Sequence, residues 1–142
     1  MPMTRCLLAA AALAVGLGTV STAAVAAGDA AKGEKEFRRC AACHSMEEGD
    51  NRVGPSLHAI VDRQAGTAPD YNYSESYVTA GEQGLEWTVE RIVAYLEDPK
   101  AFLVEFLGTD DVTTKMRNKF KKLELREDIA AYLESVSTAP AE

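Results

Sequence analysis

The chain has 142 residues, 46% of them hydrophobic and 26% charged, which suits one globular domain and excludes a disordered polymer. Its 22 acidic residues against 15 basic ones give a net charge of −7, the wrong sign for a general nucleic-acid binder. Three cysteines are too few for a disulfide-stapled mini-protein.

The N-terminus reads as an export signal. Arg5 is the only charge before Asp29, and the run from Cys6 to Gly18 is apolar or glycine throughout. Val25-Ala26-Ala27 fits a signal peptidase site, so cleavage is expected after Ala27, leaving a domain of residues 28–142. The apolar run is shorter than the roughly 18 residues of a spanning helix, which disfavours the alternative of a retained membrane anchor. Cys6 precedes the run, where no lipoprotein cysteine would stand, and has no role in the mature chain. Without Arg5 the mature chain has 14 basic and 22 acidic residues, a net charge of −8. Two thiols remain, Cys40 and Cys43, in an exported protein whose oxidising surroundings would join or use them.

Asp29 is positioned to cap a first helix running toward Arg39, with Gly33, Phe37 and Cys40 on one face. Residues 48–83 are rich in Gly, Pro, Asp, Asn, Ser and Tyr, with Gly54-Pro55 and Ala68-Pro69 as breakers. So long an aperiodic stretch is expected to be a loop that wraps around something or carries function. Thr88 caps a second helix whose Val89, Ile92, Val93 and Leu96 make an apolar stripe. Asp98-Pro99 stops that helix and starts a short one holding Phe102, Leu103 and Phe106, ended by Gly108. A last helix carries Leu125, Ile129, Tyr132, Leu133 and Val136. There is no strand-like alternation and no internal repeat. The expected class is all-α, a small single domain of three to five helices and long loops. Such elements make a thin core, and a buried planar cofactor would supply the missing apolar bulk.

Cys40-Ala41-Ala42-Cys43-His44 is the C-x-x-C-H signature of covalent haem attachment. On a helix, thiols three residues apart face one side and each forms a thioether with a haem vinyl group. His44 is then directed at the iron. A thioredoxin-like site would need a βαβ pattern, and a zinc site a second Cys/His pair, whereas the only other histidine is His58. For the sixth iron ligand, Met46 is too near His44 to reach the opposite face, and His58 falls in the loop after Gly54-Pro55. Met116, shortly before the last helix, is the expected ligand, since His/Met ligation suits an electron carrier.

From Gly-Asp-Ala-Ala-Lys-Gly-Glu at residue 28 to Arg-Glu-Asp-Ile-Ala-Ala-Tyr-Leu at residue 126, the mature chain resembles the class I c-type cytochromes. That family includes mitochondrial cytochrome c and the alphaproteobacterial cytochromes c2. The resemblance implies one haem c per chain, bound through Cys40 and Cys43, with iron held by His44 and Met116. It implies that Gly33 and Phe37 pack against Ile129 and Tyr132, and that the Pro55 carbonyl accepts a hydrogen bond from His44. Arg63, Tyr73 and Trp87 stand where the family places donors to a buried haem propionate, and Tyr95 where a hydroxyl reaches the methionine sulfur. Three features depart from the family pattern. Asn118 replaces an aromatic at the haem edge, Ser56 replaces an asparagine after the proline, and Val104 to Thr113 is longer than in the shortest relatives.

These features imply a soluble periplasmic one-electron carrier, and not an enzyme, because two protein ligands leave the iron no position for a substrate. The resemblance implies shuttling from a cytochrome bc complex to a photosynthetic reaction centre or cytochrome oxidase, by a monomer that takes no nucleic acid. The alternatives are a gas-binding or peroxidatic haem protein with an open distal site, and a membrane-tethered carrier with an uncleaved leader. Charge is divided along the chain. From Met46 to Asp111 there are 14 acids and 4 bases, and from Lys115 to Arg126 there are 6 bases and one acid. With Lys32, Lys35, Arg38 and Arg39 near the motif, the second run predicts a basic collar that steers docking onto acidic partners.

Overall fold

The computed structural model describes residues 28–137. The signal peptide expected at residues 1–27 lies outside them. Helix α1 (Ala30–Glu36) begins at Asp29, whose carboxylate accepts from Ala31 N–H at 3.0 Å and Lys32 N–H at 3.1 Å. Helix α2 (Arg38–Ala41) follows after Phe37, which keeps helical dihedrals. Bonds from Phe37 N–H to Gly33 O (2.8 Å) and from Ala41 N–H to Phe37 O (2.9 Å) carry the ladder across. The two segments therefore continue one another as the single first helix that the sequence suggests, with one turn residue between them.

Helix α4 (Val89–Glu97) starts at Thr88, whose hydroxyl accepts from Arg91 N–H, and buries Ile92, Tyr95 and Leu96. Helix α5 (Pro99–Leu107) is capped by Asp98, with Pro99 in the first turn, where its missing N–H costs nothing. Gly108 closes it, donating to Val104 O. Helix α6 (Leu123–Ser137) buries Arg126, Ile129, Ala130 and Leu133.

The stretch expected to be a continuous loop contains one further helix, α3 (Glu75–Glu82). Its inward face is Ser76, Tyr77, Ala80 and Gly81, small or polar residues that give no apolar periodicity to read. Among the described residues the only β pairing is an isolated bridge between Gln64 and Glu86. Bonds between Ala65 N–H and Leu85 O (2.8 Å) and between Trp87 N–H and Arg63 O (2.9 Å) extend it and tie the long connection to the start of α4.

The frame is the crossing of α1 over α6. A Cβ at Gly33 would overlap the Asp128 carbonyl, so only glycine lets the two backbones approach this closely. The Phe37 ring meets Tyr132 at 5.3 Å between centroids, and Asp29 N–H donates to the Asp128 carboxylate at 2.7 Å. Helix α4 packs on α6 and α5, and α5 on α3. Leu85, Leu103 and Ile129 are fully buried, each side chain contributing about 1.5–3 kcal/mol of transfer free energy. Among the described residues no helix is long and apolar enough to cross a membrane.

Candidate functional site

The helices enclose an apolar cavity of about 240 Å³, and the chemically distinctive residues of the sequence converge on its walls. On one wall, Cys43 N–H and His44 N–H both bond to Cys40 O at 2.9 Å, so the end of the first helix brings Cys40, Cys43 and His44 to the same side. No disulfide joins Cys40 and Cys43, and Cys40 is buried. His44 Nδ1 lies 2.7 Å from the Pro55 carbonyl oxygen. Since a carbonyl only accepts, Nδ1 carries the proton and Nε2 keeps its lone pair. Burial lowers the His44 pKa, and this hydrogen bond opposes the shift. Gly54 covers the ring face so closely that a Cβ there would overlap imidazole Cε1.

A second part of the lining comes from α3, α4 and the segment before α6. Tyr95 donates to Met116 Sδ at 3.4 Å. Tyr95 Oη lies 2.6 Å from Tyr77 Oη, which lies 2.5 Å from Thr114 Oγ1. Burial raises the pKa of both phenols, that of Tyr95 most, so both hydroxyls keep their protons at neutral pH. Segment 113–116 is pinned to α3. Thr113 N–H donates to Ser76 Oγ at 2.9 Å, and Ser74 Oγ donates to Thr113 O at 2.6 Å. The stretch that looked long in sequence thus ends against α3.

At a third edge, Arg63 donates to the carbonyls of His58 and Ser56, both at 2.9 Å, while its Nε is buried with no partner among the described residues. Burial lowers the Arg63 pKa and the neighbouring Tyr73 opposes this. Tyr73 and Trp87 also line the cavity, Trp87 packing edge-on against Tyr95 at 4.8 Å. The structure therefore brings Cys40, Cys43, His44, Pro55, Arg63, Tyr73, Trp87, Tyr95 and Met116 to one cavity. His58 and Met46 are not among its lining residues. Asn118 is exposed at the rim, and the buried ring beside the cavity is that of Phe120.

No protein-family model matches the chain. It is 48% identical over 117 residues to cytochrome c2 iso-2 of Rhodospirillum centenum, covering 78% of this chain and 97% of that protein. With cytochrome c2 of Rhodobacter capsulatus it shares 47% over 117 residues, covering 78% and 84%. The chain belongs to the cytochrome c2 family. The solved structure of Rhodospirillum centenum cytochrome c2 superimposes with a TM-score of 0.73 at 48% identity, covering 77% of this chain and 98% of that one. That of Rhodobacter sphaeroides cytochrome c2 gives 0.74 at 36% identity, covering 80% and 99%. As a class I c-type cytochrome the chain is a haem-bearing electron carrier and not an enzyme.

The donors on the walls suit that cofactor. Apolar side chains face the cavity for a porphyrin, thiols, an imidazole and a thioether converge on it, and the orphaned Arg63 Nε offers a cation to a carboxylate. Among the described residues, no cluster of three or more His, Cys, Asp or Glu side chains could hold a bare metal ion instead.

Several charges of the basic collar expected from the sequence are paired within the chain. Arg126 is buried, donating to Glu97 at 2.5 Å, and Lys119 pairs with Asp98 at 2.6 Å. Arg39, beside the thiols, pairs with Glu36 at 2.9 Å. Lys115 and Arg117 are exposed residues on the cavity rim, and Lys121 and Lys122 are exposed nearby in sequence. Sequence reasoning also passed over Tyr77 and Thr114. A tyrosine in an apparent loop gives no sign of its partner, and only its helical spacing from Ser74 and Gly81 could have hinted at a buried face.

Proposed function

We propose that this cytochrome is a periplasmic one-electron carrier with a single haem c, bound through Cys40 and Cys43 and ligated by His44 and Met116. The observation that carries the reading is that His44 and Met116 face one cavity with their other polar contacts fixed, His44 Nδ1 by Pro55 and Met116 Sδ by Tyr95. Bound haem supplies the one-electron iron couple. The protein does the rest. Pro55 holds the His44 tautomer that leaves Nε2 as donor, and strengthens that donation. Tyr95 orients the sulfur. Leu57, Ile60, Ile92, Leu96, Ile129 and Leu133 keep water from the interior, so little rearranges when charge changes. Arg63, Tyr73 and Trp87, which line the cavity, would hold the haem carboxylates.

Export follows from a signal peptide cleaved after Ala27. The protein acts as a monomer, docking transiently by the rim that carries Lys115 and Arg117. Its partners are membrane redox complexes, a cytochrome bc complex as donor and a reaction centre or cytochrome oxidase as acceptor. The test is the absorption spectrum and carbon monoxide binding of the purified holoprotein. The ferric protein should show the weak far-red band of sulfur bound to iron, and the reduced protein should bind carbon monoxide poorly. Met116→Leu should keep its haem yet lose the band and bind carbon monoxide quickly. An unchanged Met116→Leu spectrum, or rapid binding by the wild type, refutes the ligation.

A further inference from the structure

Five electron-rich rings line the cavity in one continuous run. Trp87 meets Tyr95 at 4.8 Å between centroids, and Tyr95 meets Tyr77 at 6.4 Å. Tyr77 meets Tyr73 at 6.0 Å, and Tyr73 meets Tyr71 at 4.7 Å. Tyr77 is the link. Among the described residues no ring contact joins Tyr73 to Tyr95 directly, so the run is continuous only through the ring that α3 supplies. Trp87 also touches Phe102, and Phe102 touches Phe106, but a phenyl ring holds its electrons too tightly to take part. The remaining tyrosine, Tyr132, stands apart against Phe37.

The run has a direction. A phenol that loses an electron becomes strongly acidic and must shed its proton. Tyr77 and Tyr95 are buried, and their hydroxyls meet each other, Thr114 and Met116, none of which is a base. Tyr73 lies beside the Arg63 guanidinium, which cannot take a proton either. Tyr71 is partly exposed at the cavity rim, its hydroxyl donating to the Val53 carbonyl at 2.8 Å, so its proton can pass to water. The Lys115 ammonium stands 5.4 Å from the Tyr71 ring centroid. It opposes positive charge on that ring, so electron and proton leave together.

We propose that Trp87, Tyr95, Tyr77, Tyr73 and Tyr71 form a relay that carries oxidising equivalents from the haem cavity to the surface, sparing the interior when the protein meets a peroxide. The inference rests on haem occupying this cavity and on no particular sixth ligand. Electrons pass inward from ring to ring, and the deficit comes to rest on Tyr71 as a neutral phenoxyl radical. The balance closes. Breaking the O–O bond of hydrogen peroxide to give two waters takes two electrons and two protons. Tyr71 supplies one of each. The second electron is the one the reduced carrier already holds, and its proton comes from water. A small thiol in solution then returns a hydrogen atom to Tyr71, and the thiyl radicals pair as a disulfide.

The test treats reduced holoprotein with hydrogen peroxide in the presence of a nitroso spin trap and locates the adduct by mass spectrometry. The wild type should carry the trap on Tyr71. Tyr71→Phe should lose that adduct, and oxidation should move inward to Trp87. Tyr77→Phe leaves Tyr71 in place yet should also lose the Tyr71 adduct, which a merely accessible tyrosine would keep. Oxidising the surface directly with a photogenerated ruthenium complex should still label Tyr71 in Tyr77→Phe, because the outer ring itself is unchanged. Both variants should lose their haem absorption faster than wild type under peroxide. Tyr73→Phe interrupts the run one ring further out and carries the test if Tyr77→Phe fails to retain haem. A Tyr71 adduct undiminished in the interrupted variants, or a wild-type adduct on Tyr132 in place of Tyr71, overturns the relay. A purified protein without haem overturns the reading of the cavity, and the relay with it.

Discussion

On the His44 side of the cavity every functional group comes from the short segment Cys40–Pro55, whereas the Met116 side draws on α3, α4 and the segment before α6. The first side is held by backbone. Gly54 N–H donates to Cys43 O at 2.8 Å, Leu57 N–H to Ser45 O at 2.8 Å, and Ser56 Oγ to Glu47 O at 2.6 Å. The second is held by side-chain hydroxyls that join residues 18 to 37 positions apart. Local turns lose little chain entropy on closing, while distant pairings must recover more of it through contacts. A wall of backbone tolerates no intrusion, and a wall of hydroxyls can be altered one oxygen at a time. The first gives a rigid frame, and the second gives positions that single substitutions can adjust.

That contrast can be broken by substitution, beginning where the effect is largest. Gly54→Ala forces a methyl into the His44 ring and should destabilise the holoprotein by about 3 kcal/mol, measured by denaturant titration. A neutral result would mean that the backbone wall yields as readily as the other. Ser76→Ala leaves the Thr113 amide without its partner and should cost about 1 kcal/mol. On heating, this variant should lose its far-red band before its helices melt, because the distal segment loosens first. Simultaneous loss would show that the two walls unfold as one. The smallest effect lies outside both walls, at the pair that fixes α4 to α6. The Arg126 guanidinium holds the Glu97 carboxyl below its usual range, so the stabilisation is present at neutral pH. It is lost as pH falls through that depressed value. Thermal melts of Glu97→Gln should therefore lie below wild type at pH 7 and converge with it in acid.

The same contrast explains what was legible beforehand. The attachment motif and the caps at Asp29, Thr88 and Asp98 are written in contiguous residues whose spacing dictates their geometry, while the role of Pro55 came from the family resemblance. Helix α3 was hidden because Ser76, Ala80 and Gly81 bury a face without hydrophobic periodicity. The Tyr77 contact with Tyr95 joins two helices and depends on how they pack, which no local pattern encodes. Charge was misjudged for a related reason. Arg126 belongs to a basic run along the chain, yet its helical position turns it inward to Glu97, away from any partner. The resemblance to class I cytochromes supplied Tyr95 and Arg63, which spacing alone would have left as ordinary core and surface residues.

The close passage of α1 over α6 has a topological consequence. Gly28 and Gly33 both lie against the backbone around Asp128, so the domain begins beside the helix with which it finishes, about 14 Å of helix from Ser137. A short flexible tether could connect Gly28 to Ser137, and new ends could be opened at the exposed Thr109–Asp110 link. In such a circular permutant the Cys40–His44 segment would emerge in mid-chain, after helix α6 instead of before it.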